Sequence, residues 1–232
     1  MKTFSELNPP DDAHMAGYSW LIHEYRLKVP RPAILSGILG KHRPQERDGW
    51  NLMPSQYAPE KDVWAHLSFA LKWEGIDLAV LDGLFRVIPA DEITNIIKGV
   101  MTGRQSRRLW FLYEWLLDTV LDIPDSGLVR AVDIVDEKRQ FGLRVGTLST
   151  RHRVRNNLPG TRAFCPMVRK TPMLAALSGA GFAERTREIA GRVHPDLLTR
   201  AAAFLMLKDS RASYKIESET PSPDRVQRWA DT

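Results

Sequence analysis

Apolar residues recur at helical spacing between residues 61 and 121, and this block is the clearest structural signal in the chain. Gly75, Pro89 and the pair Gly99 and Gly103 interrupt the pattern, so it predicts four helices joined by short connections. Such a series favours a helical bundle core. In the first helix a carboxylate shares the helical spacing of the apolar residues, which are Val63, Leu67, Ala70 and Leu71, followed by Glu74.

The chain before this block is less regular. Tyr18–Val29 is apolar and aromatic enough to pack against a core, and prolines at positions 30 and 32 then interrupt it. The run Ala33–Leu39 predicts a short helix after these prolines. Residues 41–60 combine charged residues with three prolines, which predicts a loop.

The chain after the helical block has a different pattern. Leu128–Val135 alternates and is rich in β-branched residues, which predicts a short strand or hairpin edge. Residues 149–160 lack apolar periodicity and predict an ordered loop, whereas 173–190 predict a helix interrupted by glycines. A last helix is expected from Pro195 to about Ser218. The predicted fold class is therefore mainly α: a helical bundle with a small β element and an ordered basic loop.

A chain of 232 residues is long enough to bury a substantial core. The pattern suggests three regions along it. Residues 1–122 form an N-terminal helical region, and residues 123–193 contain short strands, the basic loop and a helix. Residues 194–232 contain the last helix and a Pro-rich tail.

Composition narrows the class of protein. The net charge of +5 makes the chain mildly basic, which favours anionic partners. Its one cysteine, Cys165, excludes an internal disulfide and is typical of a reducing compartment. No apolar run approaches the roughly 20 residues that span a bilayer, and the N-terminal residues include acids and prolines unlike a signal peptide. We therefore expect a cytoplasmic protein.

The most informative motif lies at the end of the last helix, where Ser213 is followed four residues later by Glu217. Residues four apart lie on the same face of a helix. A carboxylate at a helix end can hold an arginine through a charge-assisted, bidentate pair and exclude a phosphate that binds the same arginine. A neighbouring apolar stripe is expected to anchor this helix to a core, and it comprises Leu198, Ala201, Leu205, Ala212 and Ile216.

The stretch from Ser213 to Glu217 resembles the inhibitory segment of the Fic family, which reads Ser or Thr, any three residues, Glu, then Gly or Asn. The resemblance implies that Glu217 is the inhibitory carboxylate and Ser213 its positioning partner. In that family the inhibitory Glu pairs with an arginine of the catalytic core and prevents productive placement of the γ-phosphate of ATP. The core transfers AMP from ATP to a hydroxyl of a target protein. The segment 219–229 is also similar to the linker that leads to this core.

The chain departs from the family in two respects. Position 218 is Ser where the family pattern has Gly or Asn. The catalytic signature, His-Pro-Phe followed by Gly-Asn-Gly-Arg, is absent, because His194-Pro195 continues with Asp196. The resemblance therefore implies the regulatory region of a Fic-type protein adenylyltransferase, with no catalysis by this chain alone. Its partner is a Fic catalytic core in cis or in trans, and ATP is a cofactor only of a complete core.

Residues 138–183 contain nine Lys or Arg and no Asp or Glu. Within the basic loop 144–170, the candidate anion-binding residues are Arg151, Arg153, Arg155 and Arg169. The alternative interpretation is that arginines of this loop bind backbone carbonyls and nearby acids such as Asp118, Asp122 or Asp125.

Other patterns in the sequence do not indicate a site. A helix-turn-helix over 89–117 is disfavoured, because its second helix is too apolar to lie in a DNA groove. The histidines lack metal-ligand spacing, so no metal site is expected, and Cys165 has no activating partner in the sequence. The alternative function is a helical adaptor or antitoxin-like binding protein, with nucleic-acid contact through 144–170 as one version of it.

Overall fold

The computed structural model describes residues 8–40, 43–216 and 218. The chain divides into two compact units, Met1–Lys170 and Thr171–Thr232, and each is described by itself. Within the described residues, no helix has both the length and the apolar character needed to cross a membrane.

Helices build most of the core of the first unit, and the four helices predicted between residues 61 and 121 are confirmed. Asp62 and Asp77 begin two of them, because their carboxylates accept hydrogen bonds from the backbone N–H groups of Ala65 and Val80 at 2.8 and 3.1 Å. The helices of this unit are α1 (Tyr18–Glu24), α2 (Val63–Phe69, continued by a π-helical turn Ala70–Glu74), α3 (Leu78–Phe85), α4 (Ala90–Gly99) and α5 (Arg104–Leu117).

The helix α5 lies at the centre of this unit. All of residues 106–114 are buried, so α5 is enclosed on every side rather than amphipathic. The ring centroid of Tyr113 on α5 lies 5.0 Å from that of Phe85 on α3. The core therefore forms around α5.

A mixed sheet of four strands lies in the first third of the chain, in the order β1-β2-β4-β3. The strand β2 pairs antiparallel with β1 and parallel with β4, and β3 pairs antiparallel with β4. A short 3-10 helix, Ser55–Tyr57, follows β4. The strands are β1 (Ala13–Ala16), β2 (Leu35–Leu39), β3 (Gln45–Arg47) and β4 (Trp50–Pro54).

Two predictions are wrong in this region. The expected helix Ala33–Leu39 is instead the strand β2, in which every residue is buried. A central strand buried on both faces has no polar alternation, so its short apolar run resembles that of a helix. The loop expected over 41–60 contains β3 and β4, joined by Asp48 and Gly49 with φ of 53° and 76°. An Asp-Gly pair is a hairpin signal, so Asp48-Gly49 marks the turn that the predicted loop did not include.

A second sheet of three strands has the order β5-β7-β6. The strand expected within Leu128–Val135 is confirmed as β5 (Val132–Asp133), which pairs parallel with β7 (Val154–Asn156). The hairpin partner of β7 is β6 (Thr147–Ser149). The segment 149–160, expected to be a loop throughout, therefore includes a strand.

The prediction of a mainly α bundle with a small β element is therefore wrong. The chain is an α/β fold with two small sheets. Its strands contain two to five residues, and so short a segment shows too few alternations for a period of two to be recognised.

Side chains hydrogen-bond the backbone carbonyls in the last two residues of the π-helical turn and in the two residues after it. Carbonyls at a helix end have no partner within the helix, and burial without a partner is costly. Consecutive carbonyls here accept side-chain donors from distant segments: Trp73 O from Arg139 at 2.7 Å, Glu74 O from Arg169, Gly75 O from Tyr18 at 2.9 Å and Ile76 O from Gln140 at 2.8 Å.

Arg108 on α5 joins the same turn to the second sheet. Its side chain is almost fully buried, and its Nη1 donates to Leu71 O at 2.9 Å while its Nε donates to Ile134 O at 2.8 Å. Gln105 Oε1 accepts a further bond from Nη1 at 2.9 Å. Burial lowers the pKa of Arg108 to about 10, so the guanidinium remains charged at neutral pH. A buried charge is tolerated here because carbonyl dipoles surround it.

The second unit is helical. It consists of α6 (Pro172–Ser178), α7 (Phe182–Gly191) and α8 (Pro195–Ile216), so the helix predicted over 173–190 with a glycine interruption and the last helix beginning at Pro195 are confirmed. The hydroxyl of Thr171 accepts a bond from Leu174 N at 3.2 Å and caps α6. Large apolar side chains are exposed along all three helices, among them Met173, Phe182, Ile189, Leu197, Phe204 and Met206.

We predict that Arg108→Met destabilises the chain by about 2–5 kcal/mol, because the carbonyls of Leu71 and Ile134 lose buried donors. Urea unfolding measures this change in the free energy of unfolding. Arg104→Met is the matched control, since Arg104 begins the same helix and is exposed, and it is expected to change stability by less than about 0.5 kcal/mol. Equal effects of the two substitutions would contradict a structural role for Arg108.

Candidate functional site

The end of α8 is the candidate inhibitory segment. Ser213 is exposed on its last turns, and Glu217 lies outside the described residues. Ser218 has a φ of 57°, and its N–H donates to Lys215 O at 3.2 Å. This is the left-handed conformation in which helices commonly terminate, usually at Gly and sometimes at Asn. Ser218 therefore adopts the conformation for which the family pattern has Gly or Asn.

The apolar stripe expected to anchor α8 to a core is exposed instead. Leu198, Leu205 and Ile216 have exposed fractions of 40%, 55% and 84%. Ala201 and Ala212 are exposed as well. The sequence period identified the stripe correctly, but a period does not specify what covers it, so the expectation of anchoring was wrong.

The candidate anion-binding arginines each contact a different part of the first unit. Arg153 Nε donates to Val129 O at 3.1 Å, and Arg155 forms an exposed ion pair with Asp133 at 2.7 Å. Arg169 donates to Glu74 O and Arg151 to several acceptors around Glu114. Their contacts are with backbone carbonyls and acids, as the alternative interpretation expected.

Two acids named in that interpretation do pair with arginines of this loop. Arg151 Nη1 lies 3.0 Å from Asp125 Oδ1, and Arg162 Nη1 lies 2.6 Å from Asp118 Oδ2. Both partners of the Arg162–Asp118 pair are exposed. Exposed pairs of this kind contribute about 0–1 kcal/mol.

Glu114 on α5 binds the β6–β7 hairpin. Glu114 is only 9% exposed. Its carboxylate accepts hydrogen bonds from Trp110 Nε1 at 2.7 Å, Leu121 N at 3.0 Å and Arg151 Nη2 at 3.1 Å. Burial alone would raise the pKa of Glu114, but the hydrogen bonds from Arg151, Leu121 and Trp110 outweigh it and lower the pKa. The carboxylate is therefore ionised and fully hydrogen-bonded.

His152 and Ser149 extend this arrangement. His152 Nε2 lies 2.9 Å from Glu114 Oε2, and Ser149 Oγ lies 2.7 Å from His152 Nδ1. Burial lowers the pKa of His152, so the neutral ring donates to the carboxylate and accepts from the hydroxyl. Ser, His and a carboxylate in this order also occur in catalytic triads. Here the carboxylate is shared with Arg151, and the arrangement fixes the hairpin turn against α5.

A cavity of about 360 Å³ lies elsewhere in the first unit. Its walls come from segment 32–34, from the residues around the start of α3, and from the segment that ends at Arg169. Its acidic and basic lining residues are Glu74, Asp77 and Arg169, and Cys165 also lines it. The fold brings Arg169 and Cys165 to one cavity, which their positions in the sequence do not predict.

Glu74 is the buried carboxyl at this cavity. Its Oε2 accepts from Tyr18 N at 2.8 Å, and a Cβ at position 17 would lie 2.5 Å from the same oxygen, so Gly17 with φ of 63° is required there. Burial raises the pKa of Glu74 to about 7, although Ser36 and the Tyr18 N–H oppose the shift. The sequence signal for this group was a carboxylate in register with an apolar stripe.

Comparison with protein-family models, with curated proteins and with solved structures finds no match for this chain.

We predict that Glu114→Gln destabilises the chain by about 3 kcal/mol at pH 7, because Arg151 loses its buried anionic partner. A lowered folded-state pKa gives stability that is present above the unfolded pKa and is lost as the pH falls through the folded value. The parent should therefore lose this contribution below about pH 4, and the variant should not. Urea unfolding between pH 3 and 7 measures both. Asp133→Asn, which removes the exposed partner of Arg155, is the control and should cost less than about 1 kcal/mol.

Glu74→Gln should change the pH dependence of the free energy of unfolding in the sense opposite to Glu114→Gln. Because the folded pKa of Glu74 is raised to about 7, its stabilising contribution is present below the unfolded pKa and falls as the pH rises through 7. The difference between parent and variant should therefore shift by up to about 3 kcal/mol between pH 5 and 8, in favour of the variant at high pH. Burial lowers the pKa of His66 to about 4, so His66 reduces the stability of the chain as the pH falls below about 6.5. This effect is the same in parent and variant and therefore cancels in their difference.

Urea unfolding at several pH values measures that difference. The control is Glu60→Gln, an exposed acid ahead of α2, for which a flat difference is expected. A flat difference for Glu74→Gln would show that this carboxyl is not buried as a neutral acid.

Proposed function

We propose that this chain is a cytoplasmic regulatory protein that restrains a Fic-type protein adenylyltransferase core through the end of α8. Glu217 is the blocking carboxylate and Ser213 its positioning partner. The carboxylate pairs with an arginine of the core and occupies the place that the γ-phosphate of ATP needs. The core and its ATP are supplied in cis or in trans, and this chain performs no catalysis alone.

The observation that supports the proposal most directly is the backbone of Ser218. The family pattern has Gly or Asn at this position, and Ser218 has a φ of 57° directly after the last turn of the helix. A non-glycine residue with positive φ is uncommon, so this conformation is a specific feature rather than a default. The substitution of Ser for Gly or Asn is therefore compatible with the family's way of ending the helix.

The exposed faces of α8 also suit a regulatory role. The helix α8 has 22 residues, and Leu198, Ala201 and Leu205 recur on it at helical spacing and are exposed, so they offer an apolar stripe to a partner. Docking of such a surface would fix the helix end relative to the core. A blocking carboxylate needs this fixed position, since a mobile one would yield to the triphosphate.

The test is AMP transfer by a core that contains His-Pro-Phe and Gly-Asn-Gly-Arg and comes from the same cell. Labelled ATP reports transfer to the core itself and to bound proteins. The parent chain is expected to suppress transfer, and Glu217→Gly to restore it by at least about tenfold, because loss of 1.4 kcal/mol of repulsion suffices. Glu219→Gly is the matched control and should suppress as the parent does. Equal suppression by Glu217→Gly would refute the mechanism.

The same assay tests the helix end. Ser218→Asn should suppress transfer as well as the parent, because Asn adopts positive φ readily. Ser218→Val should suppress less well, because a β-branched residue is strained in this conformation. Circular dichroism checks that both variants are folded. Identical inhibition by the two would separate Ser218 from the activity.

A second candidate is a helical adaptor or antitoxin-like binder that covers a partner without placing a carboxylate in its active site. The exposed apolar residues of α6, α7 and α8 favour this alternative equally. The two proposals differ in the assay above. Binding to the core that is insensitive to Glu217→Gly and leaves AMP transfer unchanged would favour the adaptor.

A further inference from the structure

We propose that the cavity of the first unit binds a free α-amino acid with an apolar side chain, held between Arg169 and Asp77. The cavity lies in the unit Met1–Lys170, and its occupation does not depend on α8 or on a Fic-type core. The inference therefore stands apart from the proposed regulatory role.

The size of the cavity sets the size of the ligand. Its volume of about 360 Å³ is at the small end for ligand pockets, which range from roughly 300 to 1,000 Å³. An amino acid fits such a space, whereas dinucleotides and lipids need more. Ile34, Ile76 and Leu78 line part of it and provide an apolar wall for a side chain.

The charges of the cavity set the chemistry of the ligand. Arg169 donates one N–H to Glu74 O, and a guanidinium has five N–H donors, so it has donors to spare for a carboxylate. Asp77 Oδ1 accepts from Val80 N at 3.1 Å, and its carboxylate retains further lone pairs for an ammonium group. The two side chains are close enough for each to alter the other's ionisation.

A zwitterion satisfies this pair better than a singly charged molecule. An anion alone would meet Arg169 but would also face the carboxylate of Asp77. A cation alone would meet Asp77 and be repelled by Arg169. Glu74 also lines the cavity, and because burial raises its pKa to about 7, its carboxyl is only partly ionised at neutral pH. Arg169 and Asp77 therefore favour a ligand with one negative and one positive group.

Cys165 is a built-in reporter of occupancy. It is the chain's one cysteine, it is partly exposed, and it lines the cavity. Burial raises the pKa of its thiol, so alkylation by N-ethylmaleimide is slow enough to follow by intact-mass spectrometry. A ligand in the cavity is expected to slow this reaction further and saturably.

The probes are L-leucine and two analogues that each lack one charge. In 4-methylpentanoate the ammonium group is missing, and in 3-methylbutylamine the carboxylate is missing. We expect L-leucine to protect Cys165, and each analogue to require at least about tenfold more for the same protection, because each loses a charge-assisted hydrogen bond. Absence of protection by L-leucine, or equal protection by either analogue, would overturn the proposal.

Variants locate the binding in the cavity. Asp77→Asn removes the charge but retains the ability to cap α3, since Asn caps helices as well as Asp does. It should weaken protection by L-leucine at least about tenfold, with an unchanged melting temperature as the check on folding. Arg162→Gln is the control, because its pair with Asp118 is exposed and Arg162 does not line the cavity. If folded Asp77→Asn is protected as well as the parent, Asp77 is not the ammonium site and the proposal fails.

Discussion

The first unit depends on side-chain donors to the backbone carbonyls of the π-helical turn Ala70–Glu74 and of the two residues after it. Each buried carbonyl left without a donor costs about 1–3 kcal/mol, a large fraction of the stability of a typical domain. The donors are long side chains from α1, α5 and the segments around residues 140 and 169. The native packing of the helical block therefore includes donors from later segments of the same unit. The bond from Arg169 to Glu74 O also holds Arg169 at the cavity that Asp77 lines.

The need for donors also accounts for three of the nine basic residues in 138–183. Arg139 and Arg169 serve as backbone donors, and Arg151 is held by Glu114 together with the carbonyls of Leu121 and Ile123. Arginine suits this task because its donors point in several directions at once and remain charged when partly buried. Arg139, Arg151 and Arg169 thus serve as donors to backbone carbonyls of the first unit. Composition alone would have assigned the same residues to phosphate contacts.

The sequence predicted secondary structure best where the hydrophobic pattern extended over enough residues for its period to be recognised. The four helices between residues 61 and 121, α8 and the interruption before α7 follow from spacing and glycines, whereas β2 was read as a helix because burial on both faces removed its alternation. The cavity was not predictable, since Asp77 and Arg169 meet through long-range packing. Glu74, a carboxylate on an apolar stripe, and the Asp48-Gly49 turn were signals that the sequence did contain.

In the first unit, buried charged side chains such as Arg108 and Glu114 have partners in the same unit. The charge at the end of α8 is a separate case. The residue that follows Ile216, the last residue of α8, is an acid. The partial negative charge at a helix C-terminus disfavours a carboxylate there by a few tenths of a kcal/mol or more. Lys215 in the last turn offsets part of this effect. A partner's arginine would offset the rest, and the exposed apolar face of α8 would bring that partner into register. The electrostatics of the helix end and the exposed apolar residues of α8 are therefore both compatible with the proposed contact with another protein.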